Sequence, residues 1–218
     1  MSERTKSKEM VVLIHGLGRT RVSMIPVSLR LQQNGFETAL VGYGSMTQTL
    51  GQSTASVARQ VERKTAHWKG PIHLVGHSLG GVIALRLKRE HPELNIKRVV
   101  QLGSPNLGSP AAETLKDSSL ANWFFGPVLA ELAEDLTLSE QRDPDVAAIA
   151  GVSSPAGLAK VLGVPGPNDG LVTANSAWGR EASVRLAAQT MHTGLPLSRS
   201  VAEATVDFLK TGHAELSE

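Results

Sequence analysis

One stretch of this sequence has an obvious capacity for chemistry: Leu74-Val75-Gly76-His77-Ser78-Leu79-Gly80-Gly81. It contains G-x-S-x-G, entered from an apolar strand ending (Ile72 to Val75) and followed at once by a helix-compatible run (Val82 to Arg89). Strand, sharp turn and helix in this order lift the serine Oγ above the end of a sheet, while Gly76 and Gly80 stand where a Cβ would collide with neighbouring backbone. Ser78 is therefore a candidate nucleophile. The plainer reading, glycine and serine filling a tight turn, involves no chemistry. A serine hydroxyl attacks poorly near neutral pH unless a base within hydrogen-bond reach takes its proton. Seven histidines could serve: His15, His67, His73, His77, His91, His192 and His213. A second glycine-bearing turn, His15-Gly16-Leu17-Gly18, is alone weak evidence for anything. Neither G-x-G-x-x-G nor G-x-x-x-x-G-K-[ST] occurs, which argues against nucleotide binding.

These residues need a scaffold, and the rest of the chain alternates strand and helix patterns. Met10 to Ile14 is a continuous β-branched apolar run, as expected of a strand buried on both faces. Val22 to Asn34 has near-helical apolar spacing stopped by Gly35, with Pro26 disturbing its first turn. Phe36 to Val41 reads as a strand, Ser53 to Trp68 as a helix, and Arg98 to Leu102 as a strand after the break at Pro92. Ala111 to Leu136 is mainly helical in pattern, interrupted at Gly126-Pro127. Val146 to Val152 is a strand leading into a Gly/Pro-rich loop, Ser153 to Gly170, and Val184 to Ala188 is the last strand, followed by a helix over Val201 to Leu209. The expectation is an α/β fold: a mostly parallel sheet of about six strands with helices on both faces, functional loops at the carboxyl ends of the strands, and no large cap domain.

Composition narrows the class. With 218 residues, 41% of them hydrophobic and 19% charged, the chain suits one globular domain over 10–218 behind a polar tail at 1–9. The formal net charge is only +2 and the basic residues are scattered without aromatic interleaving, so no nucleic-acid partner is expected. Cysteine is absent, which removes disulfides, thiolate nucleophiles and cysteine metal sites. Neither a secretory leader nor a stretch of ~18 apolar residues is visible. The sequence as it stands reads as cytoplasmic, the alternative being a leader already removed.

With these pieces in order, the chain resembles the compact α/β-hydrolases of the bacterial lipase and esterase group, with HG-x-G near the start and GHSLGG at the elbow, and is similar in pattern to inositol-deacylase-like lipases. The resemblance runs over about residues 10 to 210. It implies a serine hydrolase of carboxylic esters with Ser, acid and His in that chain order, matched here by Ser78, Asp169 and His192. His192, after the last strand, can reach back over the sheet. His67 and His91 sit on helical segments, His73 lies inside a strand, and His77 is expected to be turned away from the serine. His15 is the competitor, better suited to a structural hydrogen bond. Asp169, in Asn168-Asp169-Gly170-Leu171-Val172, resembles the lipase D-G-x-V segment, although an ordinary Asn-Asp-Gly turn fits as well and Asp135, Asp143, Asp145 and Glu181 are rivals. Oxyanion donors are expected from the backbone N–H of Leu79, at a helix start, and of Leu17 in the first strand-to-helix loop. Trp123, Phe124 and Phe125, three of the eight aromatic residues, cannot all face one core, so a short lid or pocket wall is expected at about 104–140, with helix packing as the equal alternative. The partner expected is a small-molecule or lipid ester, with transient contact to a lipid surface and neither metal nor organic cofactor. The alternatives are an acyltransferase or thioesterase built on the same acyl-enzyme and, further off, an inactive binding module.

Overall fold

The computed structural model describes residues 8–117, 127–154 and 157–216. β1 (Met10–Ile14) is apolar along its whole length because it is covered on both faces: Val12 and Ile14 point into one core cluster, Val11 and Leu13 into the other. The chain continues through α1 (Ile25–Gln33), β2 (Glu37–Val41), α2 (Leu50–Thr65), β3 (Ile72–His77), α3 (Leu79–Glu90) and β4 (Ile96–Leu102). After β4 the described residues form two short helices, α4 (Pro110–Leu115) and α5 (Val128–Glu131), before β5 (Asp143–Gly151). Then follow α6 (Leu158–Val161), α7 (Ala174–Trp178), β6 (Ala182–Ala188) and α8 (Arg199–Thr211).

The six strands lie in the order β2-β1-β3-β4-β5-β6, and every neighbouring pair is parallel. α2 and α3 pack on the face that carries Leu74, Val99 and Val146, and α1 and α8 on the face that carries Val75, Val100 and Ile149. Because the chain passes from β1 outward to β2 and then back to β3 on the other side of β1, the loops after β1 and β3 diverge. That divergence opens a crevice at the carboxyl ends of the two strands, the usual ligand position in open parallel sheets.

The expected sheet, strand number and helix placement match this architecture, but several boundaries do not. α2 begins at Leu50 because Thr49 accepts from Gln52 N–H at 3.2 Å while the Gln52 side chain accepts from Thr49 N–H at 3.0 Å, a reciprocal cap. Pro26 sits in the first turn of α1, where its missing N–H costs nothing, and a 3₁₀ turn over Arg21–Met24 precedes it. The long helical pattern after position 111 contains only α4 and α5 among the described residues, and α6 interrupts the expected loop at Ser153 to Gly170. Trp123, Phe124 and Phe125 lie outside the described residues. Among the described residues, no helix is long and apolar enough to cross a membrane.

Candidate active site

Ser78 is reached by a turn of unusual backbone geometry. Its φ of 54° and ψ of −123° lie where an L-residue carries strain, and the turn is held by Ser78 N–H donating to Leu102 O at 2.8 Å and Gly81 N–H donating to Ser78 O at 2.9 Å. Space around it is tight. A Cβ on Gly80 would meet the carbonyl oxygens of Ile14 and His15, and one on Gly76 would meet the Gly80 carbonyl. Both expected glycine positions are thus filled by crossing backbone.

Asp169 and His192 come together across the ends of β5 and β6. His192 Nδ1–H donates to Asp169 Oδ2 at 2.7 Å, both side chains being buried. The other carboxylate oxygen, Oδ1, accepts from Leu171 N–H at 3.0 Å and Val172 N–H at 2.8 Å, so the group is fixed from both sides. His192 N–H also donates to Asp169 O at 3.0 Å, tying the two loops together through the main chain. The approach is close enough to require a glycine beneath it. Gly103, at φ +63°, would with a Cβ come to 3.2 Å from Asp169 Oδ2 and 3.3 Å from His192 Nδ1.

The rival acids are engaged elsewhere. Asp143 lies 3.2 Å from Arg89 at the amino end of β5, and Glu181 accepts from the same arginine at 2.9 Å. Asp145 pairs with Arg98 at 3.2 Å and Asp135 with Arg180 at 3.1 Å.

Ser78 and His192 open onto one cavity of about 350 Å³. Its wall is largely apolar, with Ala111, Ala112 and Leu115 from α4, Leu129 and Leu132 from and beside α5, and Leu171 and Val172 from the Asp169 loop. Leu17 also lines it. Among the described residues, neither Leu17 N–H nor Leu79 N–H has a hydrogen-bond partner. Leu79 is the first residue of α3, whose amino end attracts negative charge. Leu17 N–H is aimed indirectly. Gly16 O, in the same peptide unit, accepts from His15 Nδ1–H at 2.9 Å and from Arg19 N–H at 3.3 Å, and a peptide's N–H points opposite its carbonyl. His15 is itself held by stacking on Tyr43 at 4.5 Å and by the Tyr43 hydroxyl donating to His15 O at 2.8 Å. Burial lowers the His15 pKa, consistent with a neutral ring that donates from Nδ1 and accepts from Tyr43 N–H at Nε2. The structural role expected for His15 fits this arrangement.

His77 departs from expectation. The turn does not direct it away. Its ring lines the cavity, packs on the His192 ring at 4.9 Å between centroids, and donates from Nε2–H to His192 O at 2.9 Å. Burial, reinforced by the neighbouring His192 and Arg19 charges, pushes its pKa down to about 3, so the ring stays neutral beside His192. Strand parity could have found it, since His73, Val75 and His77 share one face of β3 and that face packs against the segment carrying His192 and Leu195. Tyr43 and Ser45, which accepts from Gly18 N–H at 3.2 Å, were also missed, because they act on a loop far away in sequence.

Comparison with known proteins agrees with this architecture. Residues 5–151 match the Hydrolase_4 family model, described as serine aminopeptidase, S33. No curated protein matches significantly. Among solved structures, the Bacillus licheniformis lipase BlEst2 in mature form is similar at 18% identity and a TM-score of 0.74, over 94% of this chain and 92% of that one. The metagenomic carboxyl esterase MGS0156 is similar at 22% identity and a TM-score of 0.68, over 88% of this chain and 66% of that one. The product of gene lin2722 from Listeria innocua follows at 20% identity and a TM-score of 0.57, with 96% of each chain covered. At these identities the structures speak for the fold, whereas the family match covers well over half of the sequence. The chain belongs to the Hydrolase_4 family and is a hydrolase of the α/β-hydrolase fold.

Proposed function

We propose that this hydrolase cleaves carboxylic esters through an acyl-enzyme on Ser78, with His192 as general base and acid and Asp169 as its anchor. The observation that carries this reading is the buried 2.7 Å bond from His192 Nδ1–H to Asp169 in a cavity that Ser78 shares. Because Asp169 holds the proton on Nδ1, Nε2 keeps its lone pair for the Ser78 proton. Attack of Oγ on the ester carbonyl forms the tetrahedral intermediate, whose oxyanion takes hydrogen bonds from Leu17 and Leu79 N–H. The His192 imidazolium then gives its proton to the departing alcohol. Water enters, loses a proton to His192 and attacks the acyl-serine, and collapse of the second intermediate releases the acid and regenerates Ser78. His77 positions His192 by donating to its main-chain carbonyl.

The wall chemistry supports an ester with an apolar acyl group rather than a peptide with a free amino end. An aminopeptidase, the activity named in the family description, must hold an α-ammonium group, which calls for a carboxylate in the pocket. The described lining residues include no carboxylate. Shared fold alone would not decide between these activities.

The test is Ser78→Ala in a protein checked for folding by its thermal transition. Hydrolysis of 4-nitrophenyl butyrate should fall by several orders of magnitude, and a fluorophosphonate should label Ser78 alone in the wild type. Undiminished turnover by the folded variant would end this reading.

A further inference from the structure

The cavity wall is not chemically uniform. Most of its apolar side chains come from α4, α5 and the Asp169 loop, after β4 and β5, whereas Arg19 comes from the loop after β1; β1 and β4 flank β3, so the two groups approach Ser78 from opposite sides. Among the described residues lining the cavity, Arg19 is the one charged side chain apart from the imidazoles. Its guanidinium has no ion pair or hydrogen bond among the described residues; the same holds for Arg21, Arg59, Arg63 and Arg142, but none of those four lines the cavity. Neither does the part of the α4–α5 connection outside the described residues, positions 118–126, contain an acidic residue. The backbone beneath Arg19 is fixed by the bonds from Arg19 N–H to Gly16 O and from Gly18 N–H to Ser45 Oγ. An unpaired cation on a fixed loop at an apolar cavity is a recognition element for an anion.

The position also says which half of the substrate bears the anion. In the mechanism above, the leaving alcohol must lie against His192, its proton donor. Thr193, next in the chain, lines the cavity with Arg19, and the segments that carry Arg19 and His192 lie on one face of the sheet, where Met24 and Leu195 share a core cluster and the His77 ring packs on that of His192. The acyl chain is left to the apolar wall across Ser78. We infer that the preferred substrates are esters of an apolar acid with an alcohol that carries a phosphate or carboxylate, bound through Arg19. This rests on the esterase reading and specifies its substrate.

The test compares 1-butyrylglycerol, 1-butyrylglycerol 3-phosphate and 3-butyryloxypropanoate, which share one acyl group and differ in the charge of the alcohol. In the wild type at low salt, kcat/KM should favour the anionic esters by about tenfold, mostly through KM, because binding to a fixed charge is felt alike in ground and transition states. The larger ratio of the two anionic arms identifies phosphate or carboxylate as the group recognised. Arg19→Gln should bring the anionic-to-neutral ratio close to one, Arg19→Glu below one, and Arg19→Lys should restore part of it. High salt should shrink the wild-type ratio. An anionic-to-neutral ratio of one in the wild type, or a ratio unchanged in Arg19→Glu, would overturn the inference while leaving the esterase intact. Failure of the wild type to cleave any of the three would instead overturn the esterase reading beneath it.

Discussion

Replacing Asp169 by asparagine separates the electrostatic role of this carboxylate from its structural one. Oδ1 accepts two backbone N–H groups, from Leu171 and Val172, and Oδ2 accepts the His192 Nδ1–H. An amide has one oxygen for these three donors. If the oxygen stays with the two backbone donors, the NH₂ faces His192, which must then give up its Nδ1 proton and carry it on Nε2, where, on the proposed mechanism, it blocks uptake of the serine proton. If the amide turns over, His192 keeps its tautomer but two buried N–H groups lose their acceptor, at roughly 1 to 3 kcal/mol each. The tautomer that the proposed mechanism needs is therefore disfavoured by about 2 to 6 kcal/mol, which corresponds to a loss of roughly 30-fold to 10⁴-fold in kcat. Steady-state hydrolysis of a short-chain nitrophenyl ester reads the rate. Thermal unfolding should be close to wild type for Asp169→Asn and clearly lower for Asp169→Ala, which strips the acceptor from both backbone donors. An Asp169→Asn protein that turns over within a factor of three of wild type would refute the tautomer reasoning.

Two further outcomes follow from the core and from the pocket wall. His73 is fully buried, makes no hydrogen bond through either ring nitrogen among the described residues, and has its pKa pushed down to about 3 by burial, aided by the charges of Lys97, Arg98 and Lys88; Glu9 at 3.5 Å does not offset this. The unfolded chain binds that proton below its ordinary pKa of 6.5 while the folded one stays neutral down to about 3, so stability is fully present above pH 6.5 and is lost as pH falls through that window. Between pH 7.5 and 5, His73 should account for about 2 kcal/mol of lost stability, and His73→Leu should flatten the decline in urea midpoint; an unchanged slope would contradict this. In the cavity, each added acyl CH₂ should raise kcat/KM by up to about fourfold until the wall is reached. Ala112→Phe should move that limit to shorter chains, and an unaltered length profile in a folded variant would remove α4 from the acyl site.

Much of the architecture could be read in the sequence because the signals are local. The β-branched run at Met10 to Ile14, the Pro92 break and the Gly-x-Ser-x-Gly elbow each declare themselves within a few residues. What stayed hidden depends on contacts distant in sequence. Thr49 starts α2 through a cap three residues long that an apolar pattern ignores, and α7 is too short and too buried to show amphipathic spacing. The choice of Asp169 over Asp143 rested on resemblance, because only the folded sheet sends Asp143 to the amino end of β5 with Arg89. The expectation that the turn points His77 elsewhere fails because its place on the same strand face as Val75 decides where it points.

The cavity is assembled from two kinds of chain. Ser78 sits in a turn packed against crossing backbone, with Asp169 and His192 on loops beyond β5 and β6, whereas much of the apolar cavity wall is supplied, among the described residues, by two brief helices between β4 and β5. Substrate range and chemical competence are thus separately heritable. On the proposed esterase reading, exchange of the segment between Ala111 and Leu132, beyond the Ser109 hydroxyl that donates to Leu171 O, for one of another length would redirect the enzyme toward other acids while leaving the Asp169–His192 pair in place. A directed library confined to that insert should retain active clones at high frequency, whereas the same mutational load spread over the strand-end loops should leave few.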